Sequence, residues 1–244
     1  MALNDAQFGL LQQRIDQLME RIAALRLSLV VETDFSRLVD FLRAMRAPWI
    51  NPTFDPECSD LGRDAFWIRI VDEEGNTVGS HGQKVFVCDN FCALINSGIL
   101  WYRGEVELKP GQLPWRLRQI STHIAGTVAY AGSLWIDPRY RKRGLSLFVP
   151  FLSRALCFRN YDIDFYTCLV LQAMAESAIP RDAYGYLHVE PIFDGWFPPA
   201  RSNEQAVHIC YLSQHETIEQ FRRLPAHSMF TAPGAEPDLQ RLTA

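Results

Sequence analysis

The sequence predicts a mixed α/β or α+β chain built on a sheet with one central helix-bearing crossover, preceded by an amphipathic helix. Three patterns carry this reading. Phe8, Leu11, Ile15, Leu18, Ile22, Leu25 and Leu29 recur at alternating intervals of 3 and 4 residues, the apolar stripe of a helix. Ala65 to Val71 and Val78 to Val87 are strand-like runs about the turn Asp72-Glu73-Glu74-Gly75-Asn76, a β-meander. Between Gly132 and Leu171, a strand, a basic glycine turn, an apolar helix and a nearly unbroken apolar strand follow in order.

Composition agrees with a folded chain of this kind. Of 244 residues, 48% are hydrophobic and 21% charged, enough to bury a core and unlike a disordered chain. The length fits one large domain, or one domain with an appendage. A net charge of −4 argues against an overall attraction to nucleic acid or anionic membrane, leaving only local basic clusters as phosphate sites. No apolar run is long enough for a membrane span, and the N-terminus does not read as a signal peptide, so a cytoplasmic protein is expected. The six cysteines, Cys58, Cys88, Cys92, Cys157, Cys168 and Cys210, are scattered and expected to be reduced. Cys88 and Cys92 lack a second pair at zinc-ligand spacing, so no metal site is predicted.

The elements follow from N- to C-terminus. Asn4 or Asp5 is placed to cap the first helix. Its seam is expected either to zip to a second copy or to brace the chain's own body. Leu27 to Val31 reads as the first strand, and Thr33-Asp34 as the cap of a helix through about Met45, ended by Pro48, Pro52 and Pro56. After the meander, the stretch from Cys88 to Ala131 reads as irregular and aromatic, with the alternating segment Gly104 to Leu108 inside it. Gly132 to Asp137 is a strand, Leu145 to Phe158 a helix, Ile163 to Leu171 a buried strand, and Ala173 to Ala183 a helix kinked or ended by Pro180. Leu187 to Val189 and Ala206 to Ser213 suit a closing pair of strands, and His215 to Leu224 a last helix before a loose tail.

The chemistry concentrates in Leu134-Trp135-Ile136-Asp137-Pro138-Arg139-Tyr140-Arg141-Lys142-Arg143-Gly144-Leu145-Ser146. A helix N-terminus presents unpaired N–H groups and partial positive charge, and a glycine there lets backbone approach a ligand closely; together they form a pyrophosphate cradle. Arg139, Arg141, Lys142 and Arg143 surround it with cations. A nuclear-import or nucleic-acid patch and a plain solvated turn are the competing readings of this run.

At these residues the sequence resembles the Gcn5-related N-acetyltransferase (GNAT) superfamily. Arg141, Gly144 and Ser146 stand at the signature positions of its Gln/Arg-x-x-Gly-x-Gly/Ala motif, after a strand ending in Pro138-x-Tyr140, and Tyr184-Gly185-Tyr186 follows further on. Ser146 and the early Pro150 depart from the family pattern, which predicts a slightly opened or kinked cradle. The resemblance covers roughly residues 27 to 215. It implies a central mixed, mostly antiparallel sheet flanked by helices, with 1–26 as an added N-terminal helix, an aromatic insertion at about 89–131, and a C-terminal helix and tail over 216–244.

The resemblance further implies acetyl-CoA or another acyl-CoA as co-substrate, no metal, and an amine acceptor that attacks the thioester directly. Backbone of Leu134 and Ile136 would hold the pantetheine, and Arg141, Lys142, Arg143, Gly144, Leu145 and Ser146 the pyrophosphate. The family's usual acid, a tyrosine, is replaced by Arg181, so Tyr184 is the candidate acid; packing around a helix-ending glycine is the competing reading of Tyr184-Gly185-Tyr186. Glu105, Glu107 and His123 are candidate bases, although carboxylates on an alternating strand are commonly just solvated. The insertion suits a pocket wall or lid, or a hairpin covering a sheet edge. The expected activity is N-acyl, most simply N-acetyl, transfer to a primary amine. The alternatives are a synthase of N-acyl amino acids or acyl-homoserine lactones on the same fold, and a non-catalytic acyl-CoA-binding sensor or scaffold.

Overall fold

The computed structural model describes residues 2–47, 49–103, 116–195 and 205–223. The first helix, α1 (Asp5–Ala24), starts at a capping box: Asn4 Oδ1 accepts from the Gln7 amide at 3.0 Å, and Gln7 Oε1 accepts from the Asn4 amide at 2.9 Å. Strand β1 (Ser28–Glu32) leads to α2 (Phe35–Ala44), capped by Asp34. The meander β2 (Ala65–Val71) and β3 (Thr77–Cys88) follows, then α3 (Phe91–Asn96), the two-residue β4 (Arg116–Leu117) and the long β5 (Gly126–Ile136). After the basic turn come α4 (Leu145–Asn160), β6 (Phe165–Leu171), α5 (Gln172–Ala175), β7 (His188–Gly195), β8 (Gln205–Ser213) and α6 (Gln214–Arg223).

Among the described residues the strands form one eight-stranded sheet in the order β1-β2-β3-β5-β6-β8-β7-β4. Only β5 and β6 run parallel, joined through α4; every other pair is antiparallel. This is the mixed, mostly antiparallel sheet with a single helical crossover that the sequence implied.

Two apolar layers cover the sheet. On one face α4 lies over β3, β5 and β6, and α1 lies over α4, burying Leu11, Ile15, Leu18 and Ile22 in the same core as Val149, Leu152 and Phe158. This position explains why α4 is apolar nearly all round: it meets the sheet on one side and another helix on the other. Arg14 Nε also donates to the Phe221 carbonyl at 2.8 Å, tying α1 to α6. Of the two readings of the N-terminal seam, the structure takes the brace; a zipper through these four side chains would have to displace α4. The expected break at 216 falls inside α6, whose Thr217, Ile218 and Phe221 are buried in this core.

The other face is covered by α2, α3 and the segment around Phe54. Gly82 and Gly132 stand opposite each other on β3 and β5. A Cβ at either would lie 2.9 or 2.7 Å from the Phe54 ring, so the two bare backbones form a recess that only hydrogen-sized substituents leave open. Phe54 fills it, stacked between Phe35 and Tyr130 at centroid distances of 6.0 and 5.9 Å.

Three expectations shift. β5 begins at Gly126, six residues before the predicted start, since its small residues Ala129 and Ala131 give little strand signal although both are buried at the centre of the sheet. The helix predicted over 173–183 is instead α5 followed by a wide turn at Ile179–Ala183, because Pro180 cannot continue the hydrogen-bond ladder. Conversely α4 runs from Leu145 to Asn160 straight past Pro150, held by burial on every side.

Candidate functional site

The site begins where the parallel pair ends. β5 and β6 are in register from Val128 opposite Phe165 to Ala131 opposite Cys168 and no further. Beyond that point residues 132–136 pair only with β3, and Leu169, Val170 and Leu171 pair only with β8. The two strands therefore part above Ala131 and Cys168. A bulge reinforces the divergence: between Gly82 opposite Gly132 and Ser80 opposite Trp135, β5 carries one extra residue, and Ser133 there has φ of 53°. The result is a wedge between the two strands in which the β5 edge is no longer paired with β6.

At the open end, Asp137 Oδ1 accepts from the Arg139 amide at 2.8 Å and starts the turn Pro138–Tyr140. Gly144 then enters α4 with φ of 81°, and a Cβ on it would stand 2.8 Å from Phe148 Cζ, so both the backbone angle and the space require glycine. The first helical acceptor is the Gly144 carbonyl, which receives the Phe148 amide at 3.0 Å. Among the described residues the amides of Arg143 and Leu145 donate to no protein group. Such orphan donors, at the positive end of a 16-residue helix, fit a phosphate oxygen.

The cations around the cradle divide into two groups. Arg139 is committed to Asp137, with Nη2 at 2.7 Å from Oδ2, and this bond holds the Asp137 carboxyl below its ordinary range. Arg141 Nε donates to the Ile136 carbonyl at 3.1 Å. Arg143, exposed, lies over the Tyr140 ring at 5.0 Å, and Tyr140 donates to Asp72 Oδ2 at 3.3 Å. Lys142 is exposed, at φ of 61°. Arg139 and Arg141 thus bond within the turn itself, while Lys142 and Arg143 lie exposed on its surface.

The predicted cofactor-binding residues Leu134, Ile136, Arg141, Lys142, Arg143, Gly144, Leu145 and Ser146 lie on one continuous strand, turn and helix. Leu134 is half-buried in the α4-side core, and the Ile136 carbonyl is already engaged by Arg141. Tyr184 closes the wide turn after α5 and is buried in the α4-side core, its carbonyl accepting from Arg154 Nη2 at 2.7 Å. Gly185 follows at φ of 70°, packed against Phe151 and Gln220, so the turn-ending role of this glycine is realised. Arg181 and His123 are exposed. Glu105 and Glu107 lie outside the described residues.

Residues not singled out from sequence flank the cleft. Arg154, fully buried, has its guanidinium over the rings of Tyr166, Tyr186 and Phe151 at 4.8, 4.9 and 5.2 Å. A charge in the middle of an otherwise apolar helix was its signal. Gln83 Nε2 donates to Ser153 Oγ at 2.7 Å and to the Tyr166 hydroxyl at 2.8 Å, and Cys168 and Cys210 stand opposite each other on β6 and β8. On the other face Lys84 is buried, its Nζ 2.7 Å from Ser59 Oγ and 4.8 Å from the Phe86 centroid; burial lowers its pKa to about 8. Glu190 accepts from the Tyr211 hydroxyl, the Ser121 hydroxyl and the Ser121 amide, bonds that outweigh burial and lower its pKa. It ties a loop to β7 and makes a weak base. Among the described residues no group of His, Cys, Asp and Glu is placed to hold a metal, and no helix is long and apolar enough to cross a membrane.

A sheet with one parallel pair that parts beside a glycine turn at a helix N-terminus agrees with the architecture that the resemblance implies. No protein-family model matches the chain, and no curated protein matches it. Several solved structures are similar in fold. NAA60 of Arabidopsis thaliana in complex with acetyl-CoA is 12% identical over 77% of this chain and 99% of its own, with a TM-score of 0.47; its complex with a bisubstrate analogue is 14% identical over 76% and 98%, at 0.44. The dodecameric spermidine N-acetyltransferase of Vibrio cholerae is 11% identical over 80% and 98%, at 0.45.

Proposed function

We propose that the chain is an acyl-CoA-dependent N-acyltransferase that moves the acyl group, most simply acetyl, to a primary amine by direct attack. The observation that carries this reading is the continuity of the cleft with the cradle. The wedge between β5 and β6 opens toward the same end of the sheet as the Gly144 turn, so one extended ligand reaches from the helix N-terminus to the vertex.

In this reading the orphan amides of Arg143 and Leu145 bind pyrophosphate, and Lys142 and Arg143 neutralise charge at the rim. The β5 edge that β6 leaves unpaired beyond Ala131 pairs with the pantetheine amides as a missing strand would. A thioester carbonyl near the vertex is polarised by backbone N–H groups, and the attacking amine expels the CoA thiolate. Tyr184, at the end of the turn after α5, is the proposed proton donor to that thiolate. Glu105 and Glu107 remain the proposed bases.

The test is calorimetric titration of acetyl-CoA into the full chain. Gly144→Val is expected to abolish saturable binding. Arg143→Glu, an exposed change that leaves the backbone intact, is expected to weaken binding at least tenfold, or about 1.4 kcal/mol. A wild-type protein that gives no saturable heat, or an Arg143→Glu variant with unchanged affinity, overturns the assignment.

A further inference from the structure

At Ala131 and Cys168, the vertex where β5 and β6 part, a ligand that enters the wedge in the plane of the sheet meets closed backbone pairing. Any acyl chain beyond its thioester must leave that plane on one face or the other. The α4 face is filled. Gln83, opposite Ala131, donates to Ser153 Oγ and to the Tyr166 hydroxyl, and all three side chains are fully buried. An aliphatic tail pushed in there would strip buried polar groups of their partners, at a cost that burying a few methylenes does not offset.

The other face offers hydrocarbon instead. Gly132 is the first β5 residue beyond the vertex, and Gly82 lies opposite it on β3. A Cβ at Gly132 would stand 2.7 Å from Phe54 Cε2 and 2.8 Å from Asn51 Nδ2, and one at Gly82 would stand 2.9 Å from Phe54 Cδ1. One ring thus occupies the recess, with a single amide nitrogen at its margin that already donates to the Tyr130 hydroxyl at 3.2 Å. Exchanging this ring for an aliphatic chain swaps one apolar group for another and breaks no hydrogen bond. The ring is also fixed in place. Phe54 ends the short turn Pro52–Phe54, which Asn51 Oδ1 caps by accepting from the Thr53 amide at 3.1 Å, and the fully buried ring stacks between Phe35 and Tyr130. A close-packed ring of this kind does not swing aside without leaving a void.

We propose that Phe54 sets the length of the acyl group that the cleft accepts, an inference that rests on the acyl-CoA reading above. With the ring in place, a thioester near the vertex carries its acetyl methyl as far as the recess, and a longer chain meets the ring. The donor is therefore acetyl-CoA and not a medium- or long-chain acyl-CoA. Without the ring, Gly82 and Gly132 leave the space of a benzyl group open to an aliphatic tail. A synthase of longer N-acyl products on this chain would need a smaller residue at 54.

The full chain is titrated calorimetrically with acetyl-CoA and with hexanoyl-CoA. The wild-type protein is expected to bind acetyl-CoA about tenfold or more tightly than hexanoyl-CoA. Phe54→Ala is expected to close or reverse that gap, and Phe54→Leu to narrow it. Phe35→Leu thins the same stack without changing the ring over the two glycines, and is expected to keep the wild-type ratio. Equal binding of both donors by the wild-type chain, an unchanged ratio in Phe54→Ala, or the same shift in Phe35→Leu overturns the role of Phe54 and leaves the acyl-CoA reading standing. Absence of binding of either donor to the wild-type chain overturns both. If Phe54→Ala does not fold, the wild-type ratio and Phe54→Leu decide.

Discussion

His81 links stability to acidity. It lies on β3 opposite Ile68, nearly without exposed surface, with Nδ1 unpartnered. Burial first, and the Arg154 charge second, lower its pKa from 6.5 to about 3. Between those values the unfolded chain binds a proton that the folded chain does not, so the contribution is complete above about pH 6.5 and is lost as pH falls toward 3. With about 1.4 kcal/mol per pH unit, lowering the pH from 7 to 5 costs about 2 kcal/mol through this residue alone. Carboxylates titrate mostly below this window, and other histidines act equally in a variant that changes only position 81. Urea unfolding of the wild-type chain and of His81→Leu at pH 7, 6 and 5 measures the effect. The stability difference between the two proteins is expected to move by about 2 kcal/mol in favour of the variant over that range. Parallel stability curves would refute the reasoning.

Further outcomes follow from other positions. Lys84, with its pKa lowered to about 8, leaves the unfolded chain binding more protons between about pH 8 and 10.5; wild-type stability is expected to rise relative to Lys84→Met across that window, as paired denaturation curves will show. Tyr184→Phe is expected to slow acyl transfer while leaving acetyl-CoA affinity within twofold, the split expected of a group acting chiefly in the transition state. Leu11→Ala, at a fully buried contact of α1, should cost about 2 to 5 kcal/mol. Because that contact lies within one chain, the loss should not vary with protein concentration in thermal melts.

The sequence is most legible where a local pattern has one physical solution. The meander bounds at Ala65 and Val71, the helix start at Leu145 and the left-handed Gly144 follow from alternation, a basic turn and the absence of a side chain. The strand, turn and helix proposed as a phosphate cradle were readable for the same reason, since their parts are consecutive. The buried cluster beside them was not, because Cys168, Cys210, Arg154 and Tyr186 lie on β6, β8, α4 and the stretch before β7 and meet only after folding. Likewise Arg139 and Arg141 read as ligand-facing cations until Asp137 and the Ile136 carbonyl are brought beside them. β5 was cut short because Ala129 and Ala131 look neutral in sequence, although the centre of a sheet under a thick helix calls for small residues.

The recess formed by Gly82 and Gly132 makes positions 54, 82 and 132 a single size-matched set. The aromatic ring exists where it does because two strands omit their side chains, and the loop bearing it is located by that fit. In descendants of this chain, a methyl group gained at either glycine should therefore travel with a smaller residue at 54, and the segment that Phe54 seats against the sheet should then change its course. Divergence of the wall opposite α4 can begin at that triplet while the cradle at the N-terminus of α4 stays as it is.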